Sequence, residues 1–480
     1  MISLCKSVIL KIFEMHDSKL LEIFRKLSSE EVRKLKKFVV SPYFFQHDDV
    51  QKLYEYLFSR KYLSENNTNR TKIFQHLYDD VAYDDARLRY ITSLATDVLE
   101  QFFQTERNNK NEVNNVLAIS KTLHEKQLHT FAEIFLRKSI SLHQQSTQQN
   151  AAHWHQSFYL EEEIFKQSNQ QNRSKENNIQ SIVSTLDQYY ITQLLKYACV
   201  AISYQQIIKH DYQYLLLNAV LSAAKEDEKI LNKTSLIYYK IYQLYTSAEL
   251  NYFDDLLQLL PTHSQYFSID ELKDIYLLII NFGIKQLNSG NKSFAKKLYS
   301  IYQSGLQNNV FIENQNISRF TFTNIVFTGL QTGDFGGVFQ FIKNYEIYLP
   351  ENSRKSTIGF NKARYHYFLK QYKTALQFLT DYEYNDILQN LAVKNMQLKI
   401  YVETQDWEIL DSFLNTFSVF LHRQKGLGYH QLNYKNTIKY AKRIPEIVGS
   451  TKKIKALFLQ EIQNEQNILD KDWFLNTVKI

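Results

Sequence analysis

One junction recurs through the second half of the chain and restricts its possible folds more than any other feature. It consists of a polar or glycine-containing turn, usually followed by an aromatic residue, with a small or aliphatic residue three positions later. A drifting period of roughly 35–43 residues is typical of helix–turn–helix units that stack into a solenoid. The intervals here are 41, 39, 43, 37 and 35 residues, measured between Tyr212, Phe253, Lys292, Phe335, Tyr372 and Trp407.

The two most regular units lie within Asn361–Leu421. After a turn at Lys370-Gln371, apolar residues recur at the i, i+3, i+4 and i+7 spacing of an amphipathic helix, and the same holds after Trp407. Period-2 alternation is not sustained, which argues against strands. The pattern predicts successive helical hairpins, although the same aromatic residues could also form the core of an irregular helical bundle.

The segment from Gln371 to Leu376 resembles the second helix of a tetratricopeptide repeat. In that family an aromatic residue opens the helix, here Tyr372, and a small residue three positions on, here Ala375, lets the first helix approach. The resemblance covers residues 209–423 and lacks the family's Trp and Leu-Gly signature. The small position holds Val338, Leu410 or Leu256 in three of the units. The resemblance implies an all-α fold, a right-handed α-α superhelix whose groove takes a peptide or protein.

Composition supports an all-α protein. The 480 residues contain only 11 Gly and 4 Pro, too few for turn-rich β folds or glycine-lined phosphate loops. The 34 Tyr and 32 Phe, with abundant Asn, Gln, Lys and Ile, are typical of an A/T-rich bacterial genome. Cys5 and Cys199 cannot form a disulfide framework, and no apolar run reaches the ~18 residues of a membrane span. We therefore expect a cytoplasmic protein without a membrane segment.

Four regions are expected along the chain: an N-terminal helical domain (1–110), irregular helical hairpins (111–208), tetratricopeptide-like repeats (209–424) and a helical cap (425–480). A capping box at Ser28 and Glu31 predicts a helix that ends near Pro42. Ala132 is expected at the small position of a first hairpin. Residues 179–208 are expected to form one long helix or two. Met15 is an alternative start of the chain.

The cap is expected to contain a helix over residues 429–443, a turn at Pro445 and a final helix over Lys452–Leu469. Solenoids need a terminal unit with one polar face. Trp473 and Phe474 are expected to fold back onto the preceding hairpin.

No catalytic pattern is present. The sequence lacks both glycine-rich nucleotide loops, the H-E-x-x-H zinc motif and the G-x-S-x-G elbow. His153 and His155 are two positions apart, so on a helix they point to different sides and do not converge on a metal ion. The sequence therefore predicts no enzymatic activity, no cofactor and no metal.

The first functional hypothesis is an interaction scaffold or adaptor that binds a protein or peptide in the solenoid groove. The polar faces of the first helices supply the candidate partner-binding residues, which are Arg364, His366, Lys394, Asn395 and Lys399. Neither the partner nor the oligomeric state can be read from the sequence.

The second hypothesis is nucleic-acid binding. Four cations crowd one N-terminal helix and could contact phosphates: Arg33, Lys34, Lys36 and Lys37. The same residues could equally form an ordinary solvated face. The net charge of +7, from 57 Lys and Arg against 50 Asp and Glu, is too dilute to imply nucleic acid by itself. A third reading is a regulatory protein in which the N-terminal domain acts and the solenoid senses a partner.

Overall fold

The computed structural model describes residues 18–44, 46–60, 63–64, 67–79, 81–169, 177–205, 208, 210–247, 249–381, 384, 386–424 and 426–479. In these ranges the chain forms twenty-three α-helices and one two-stranded ribbon, and neighbouring helices are in contact. The expected all-α, solenoid-like fold is confirmed. Cys5 and Met15 lie outside the described residues.

The chain divides into two compact units. The first comprises residues up to 146 together with 155–185, and the second comprises 147–154 together with 186–480. The helices Ala151–Asn169 and Ile179–Gln205 each contribute residues to both units. The helices as far as α9 are α1 Lys19–Phe24, α2 Ser29–Val39, α3 Asp48–Phe58, α4 Arg70–Leu77, α5 Asp85–Asn109, α6 Glu112–Glu125, α7 His129–Gln144, α8 Ala151–Asn169 and α9 Ile179–Gln205.

The first unit contains the capping box and the first hairpin that the sequence predicts. Ser28 accepts a hydrogen bond from the backbone of Glu31, whose carboxylate accepts one from the backbone of Ser28 in return. In the hairpin of α6 and α7, Ala132 is fully buried, and the Ser120 hydroxyl donates to its carbonyl oxygen at 2.7 Å. So close an approach requires a small side chain, and the prediction for Ala132 is confirmed.

The second unit is a run of helical hairpins. Its helices after α9 are α10 Leu217–Glu226, α11 Lys233–Thr246, α12 Asn251–His263, α13 Ile269–Asn288, α14 Phe294–Gln307, α15 Arg319–Thr332, α16 Phe335–Tyr345, α17 Glu351–Phe368, α18 Tyr372–Thr380, α19 Ile387–Glu403, α20 Trp407–Arg423, α21 Tyr429–Val448, α22 Lys452–Asn464 and α23 Lys471–Lys479. From α15 to α21 each first helix packs against its own second helix and against the first helix of the next hairpin. The second helices α12, α14, α16, α18 and α20 begin at intervals of 43, 41, 37 and 35 residues.

Four described hairpins of the second unit close with the same backbone turn. In each, the first or second residue after the first helix has a left-handed conformation: Gly290, Gly333, Lys370 and Gln405. The next residue's amide then donates to a carbonyl five positions back, for example Asp334 to Gly329 at 3.1 Å. This arrangement satisfies carbonyl groups that a helix end leaves without partners. It explains the polar or glycine position of the sequence junction, since Gly adopts this conformation without strain.

The small residue of a hairpin can lie on either helix. Val338 occupies the expected small position of α16, but it faces Gly329 of α15, where a Cβ atom would lie 2.4 Å from a Val338 methyl group. Gly283 of α13 faces Leu298 of α14 in the same way, at 2.6 Å. Close helix packing is therefore kept even where the second helix carries a larger residue.

Three expectations were wrong. Tyr212 does not open a helix: residues 210–214 have no regular structure, and Leu215 is 95% exposed, so its spacing from Tyr212 reflects no packing. Pro445 lies inside α21, because burying Ile444 and Ile447 offsets the ~3 kcal/mol cost of an interior proline. The final helix ends at Asn464, and a separate helix, α23, follows.

A short ribbon pairs residues 312–313 with 316–317 and was not expected. Its two turn residues, Asn314 and Gln315, both have positive φ, as a tight hairpin turn requires. Residues 179–205 form one long helix, which agrees with one of the two alternatives.

Candidate functional site

The C-terminal segment lies on first helices of the second unit. We call residues 465–479 the tail, and we call the side chains of Arg364, Asn395, Lys399 and Glu403 the tail face. The tail leaves α22 and crosses α21. There the Asn436 amide donates to the carbonyl of Asn467 at 2.9 Å, and the Leu469 amide donates to Thr437 Oγ1 at 3.2 Å.

Asp470 is the first anchor of the tail. Its carboxylate lies 2.5 Å from Lys399 Nζ and accepts a hydrogen bond from the Asn395 amide at 2.8 Å. Burial pushes the pKa of Asp470 upward, but Lys399, Asn395 and Arg364 together outweigh it and hold the pKa below its ordinary value. Asp470 is therefore ionised at neutral pH, and the tail face is electrostatically complementary to it.

Glu403 is the second anchor. It accepts hydrogen bonds from the hydroxyls of Tyr367 and Tyr372, the latter at 2.5 Å, and from Trp473 Nε1 at 2.6 Å. Burial and the adjacent carboxylate raise the pKa of both tyrosines, which therefore remain protonated donors. One carboxylate thus joins α17, α18, α19 and the tail.

Arg364 is the cation of the tail face whose hydrogen-bonding capacity is least used. Its guanidinium lies over the rings of Phe327 and Phe360, at 5.1 and 4.7 Å, and donates to the carbonyl of Thr323 at 3.4 Å. Burial lowers its pKa to about 10, so it stays charged at neutral pH. No carboxylate of the described residues lies within 4.0 Å of it. A guanidinium has five N–H donors, so most of them remain available.

The structure places the other two predicted partner-binding residues elsewhere. His366 contacts its own hairpin, where Nδ1 lies 2.6 Å from Gln371 Oε1 and the ring stacks on Phe378. Lys394 lies over Phe413 and Phe420 of α20, and burial lowers its pKa. Of the five residues, Arg364, Asn395 and Lys399 share one face, whereas His366 and Lys394 face second helices.

Sequence reasoning missed the acidic half of this site. It expected Trp473 and Phe474 to fold back, and Phe474 is fully buried. It overlooked Asp470 and also Asp472, which pairs with Lys292 at 2.7 Å. The available signal was the run D-K-D-W-F, in which two acidic residues separated by one Lys precede two adjacent aromatic residues.

The four N-terminal cations differ in their surroundings. Lys34 pairs with Glu106 at 2.7 Å and with Glu30 at 3.5 Å. Lys36 lies over the Phe58 ring at the edge of a cleft of about 380 Å³. Arg33, Lys36 and Lys37 are exposed. Three of the four positive charges are therefore accessible to a phosphate.

A second polar cluster surrounds Glu271. This buried carboxylate accepts hydrogen bonds from the Tyr238 hydroxyl at 2.6 Å, the Asn150 amide at 2.9 Å and Lys196 Nζ at 3.1 Å. All three partners belong to the second unit itself, so the cluster joins the start of α8 to α9, α11 and α13. It is a structural element of the second unit.

Within the part of the chain that the structure describes, no three His, Cys, Asp or Glu side chains are close enough to hold a metal ion. No described helix is both long and apolar enough to cross a lipid bilayer. Comparison with family models, curated proteins and solved structures gives no match.

Proposed function

We propose that the chain is a non-enzymatic scaffold or adaptor that holds a protein or peptide segment on the first helices of tetratricopeptide-like hairpins. Arg364 is the observation that carries the proposal. Planar guanidinium groups favour carboxylates and peptide carbonyls, and a cation between two rings is held in place without a salt bridge. A side chain fixed in this way, with donors to spare, is suited to bind an external group.

The arrangement of the hairpins supports the same reading. Each first helix from α15 to α21 packs on the next, so these helices form a continuous row. The chain's own tail already lies on this row as a short helix, which is a known mode of peptide recognition by helical grooves. The contacts of Asp470 with Lys399 and Asn395 are of the type that a partner would form.

The test is an affinity capture from cell lysate with the immobilised full chain, before and after nuclease treatment. Arg364→Met removes the guanidinium and keeps an apolar stem between the rings. Lys373→Met is the matched control, because Lys373 is exposed on the second helix α18. We expect nuclease-resistant proteins that the control retains and Arg364→Met loses, with the unfolding midpoint of both variants within a few degrees of the parent. Equal capture by the two variants would refute the role of this face.

Nucleic-acid binding is the alternative function, and the exposed Arg33 and Lys37 are its support. In this case the captured material disappears after nuclease treatment. Affinity for a single-stranded oligonucleotide would fall steeply with salt, and Arg33→Glu/Lys37→Glu would abolish it.

A further inference from the structure

We propose that the tail is an intramolecular competitor for the partner of this protein, and that the partner's segment has the tail's chemistry. That chemistry is a short helix whose first turn carries acidic residues next to adjacent aromatic residues. The inference rests on the proposed function, because it names the kind of segment that the tail face accepts. The partner would displace the tail and take over its contacts with Lys399 and Glu403.

The charges of tail and face are complementary. Asp470 and Asp472 lie at the start of α23, where the helix dipole favours negative charge. They meet Lys399 and Lys292, which come from α19 and from the turn between α13 and α14. Charge complementarity of this kind selects an orientation and excludes basic segments.

The aromatic pair supplies the apolar part of the contact. Phe474 is fully buried in the core that also contains Leu398 and Val402 of α19, and Trp473 packs at its edge. Trp473 also presents its ring to Lys399 and its N–H to Glu403. A segment without an indole or a comparable donor would leave the Glu403 carboxylate with one partner fewer.

The tail is held weakly enough to be exchanged. Helix α23 has nine residues, fewer than an isolated helix needs for stability in water. Its pair between Lys292 and Asp472 is 71% and 55% exposed, so solvent screens it and it contributes little to stability. Of the side chains of α23 that the structure describes, only those of Phe474 and Val478 are fully buried. A partner that displaces the tail must exceed these contributions together with the contacts of Asp470 and Trp473, which its own segment would take over.

The tail also leaves one group of the tail face, Arg364, without a direct ion pair. Arg364 acts on Asp470 through its charge but forms no ion pair with it within 4.0 Å. A partner with a carboxylate placed slightly nearer α17 would pair directly with Arg364. This contact gives a foreign segment an advantage over the tail, which would otherwise profit from its high local concentration.

The experiment measures binding of a fluorescent peptide with the sequence of residues 465–480 to the full chain. The unaltered chain is compared with the variant Asp472→Lys/Trp473→Ala, which loosens the tail and leaves the tail face intact. We expect the peptide to bind this variant at least tenfold more tightly than the unaltered chain. Adding Lys399→Glu should reverse the gain, whereas Lys453→Glu, an exposed cation of α22, should not.

The peptide itself is tested in two altered forms, one with both Asp residues changed to Asn and one with Trp changed to Ala. Both should bind the loosened variant at least tenfold more weakly, and circular dichroism should show unchanged helicity of every protein variant. Equal binding to the loosened and unaltered chains, or no binding to either, would overturn the inference. Arg364-dependent capture of a protein without any peptide binding would overturn it while leaving the proposed function in place. Absence of both the Arg364-dependent capture and the peptide binding would refute this inference and the proposed function together.

Discussion

The indole N–H of Trp473 donates to the carboxylate of Glu403, 70 positions earlier, at 2.6 Å. The same carboxylate accepts from Tyr367 and Tyr372. Three donors from three helices therefore depend on one acceptor. Because hydrogen bonds to a charged acceptor are stronger than neutral ones, this residue joins the tail to two hairpins.

Replacing Glu403 with Gln should destabilise the second unit by about 1–3 kcal/mol, since the amide carries less charge and has one acceptor oxygen instead of two. Urea denaturation measures the loss, and hydrogen exchange should show faster exchange of residues 471–479. Glu408→Gln is the control, because Glu408 is exposed on the next helix. Equal effects of the two changes would show that the three hydrogen bonds add no stability.

Asp470 should make the docking of the tail depend on pH. Its pKa is lower in the folded state than in the unfolded state, so its ionised form stabilises the fold at neutral pH. This stabilisation is lost as the pH falls below about 4, through the folded pKa. Asp470→Asn removes the charge, and Asn tolerates the positive φ of this position. The difference in unfolding free energy between parent and variant should be largest at pH 7 and shrink towards pH 3.5. A constant difference would exclude this role of Asp470.

Gly329→Ala tests the close packing of α15 on α16. The new methyl group would lie 2.4 Å from Val338 and 2.9 Å from Tyr299. We expect a net loss of about 1–2 kcal/mol, because overpacking outweighs the better helix propensity of Ala. Gly336→Ala, where nothing lies within 4 Å of the new atom, should be neutral or slightly stabilising. If both variants melt at the same temperature, the proposed steric requirement at Gly329 is wrong.

Glu271→Gln should destabilise the second unit without affecting capture of a partner. Lys196 would lose the carboxylate with which it pairs at 3.1 Å in a half-buried setting, at a cost of about 2–4 kcal/mol. Asp270→Asn, which alters an exposed neighbour in the same helical turn, should cost well under 1 kcal/mol. Thermal unfolding of both variants measures the two losses of stability. A parallel loss of partner capture at a temperature where the variant is folded would give Glu271 a functional role that its internal partners do not suggest.

The sequence predicted the helices well where local signals coincide. The capping box at Ser28 and the helix starts at Tyr372 and Trp407 all depend on residues within one turn of each other. It failed at Tyr212 and Pro445, where long-range packing decides the outcome. For the candidate site, it grouped Arg364, Asn395 and Lys399 with His366 and Lys394 because all five are polar residues of first helices. Only the packing of each hairpin shows which side chains turn towards α18 or α20.

The partners of the tail's acidic residues could not be predicted from the sequence for a physical reason. Asp470 and Asp472 are separated from their partners Lys399 and Lys292 by 71 and 180 positions, and no periodicity connects them. Helical spacing relates residues within a few turns, whereas a returning segment can meet any earlier helix. The charge alternation near the chain end predicted a cap but could not name the helix that it contacts.

In a simple stack of hairpins, each unit contacts only its neighbours, and the last unit can fray while the others keep their contacts. The contact of Asp472 with Lys292 changes this, because it reaches past several hairpins to an early one. Together with the hydrogen bond from Trp473 to Glu403, it joins the tail to hairpins that are not its neighbours in the stack. Loss of the chain end therefore removes contacts from the middle of the array as well as from its end.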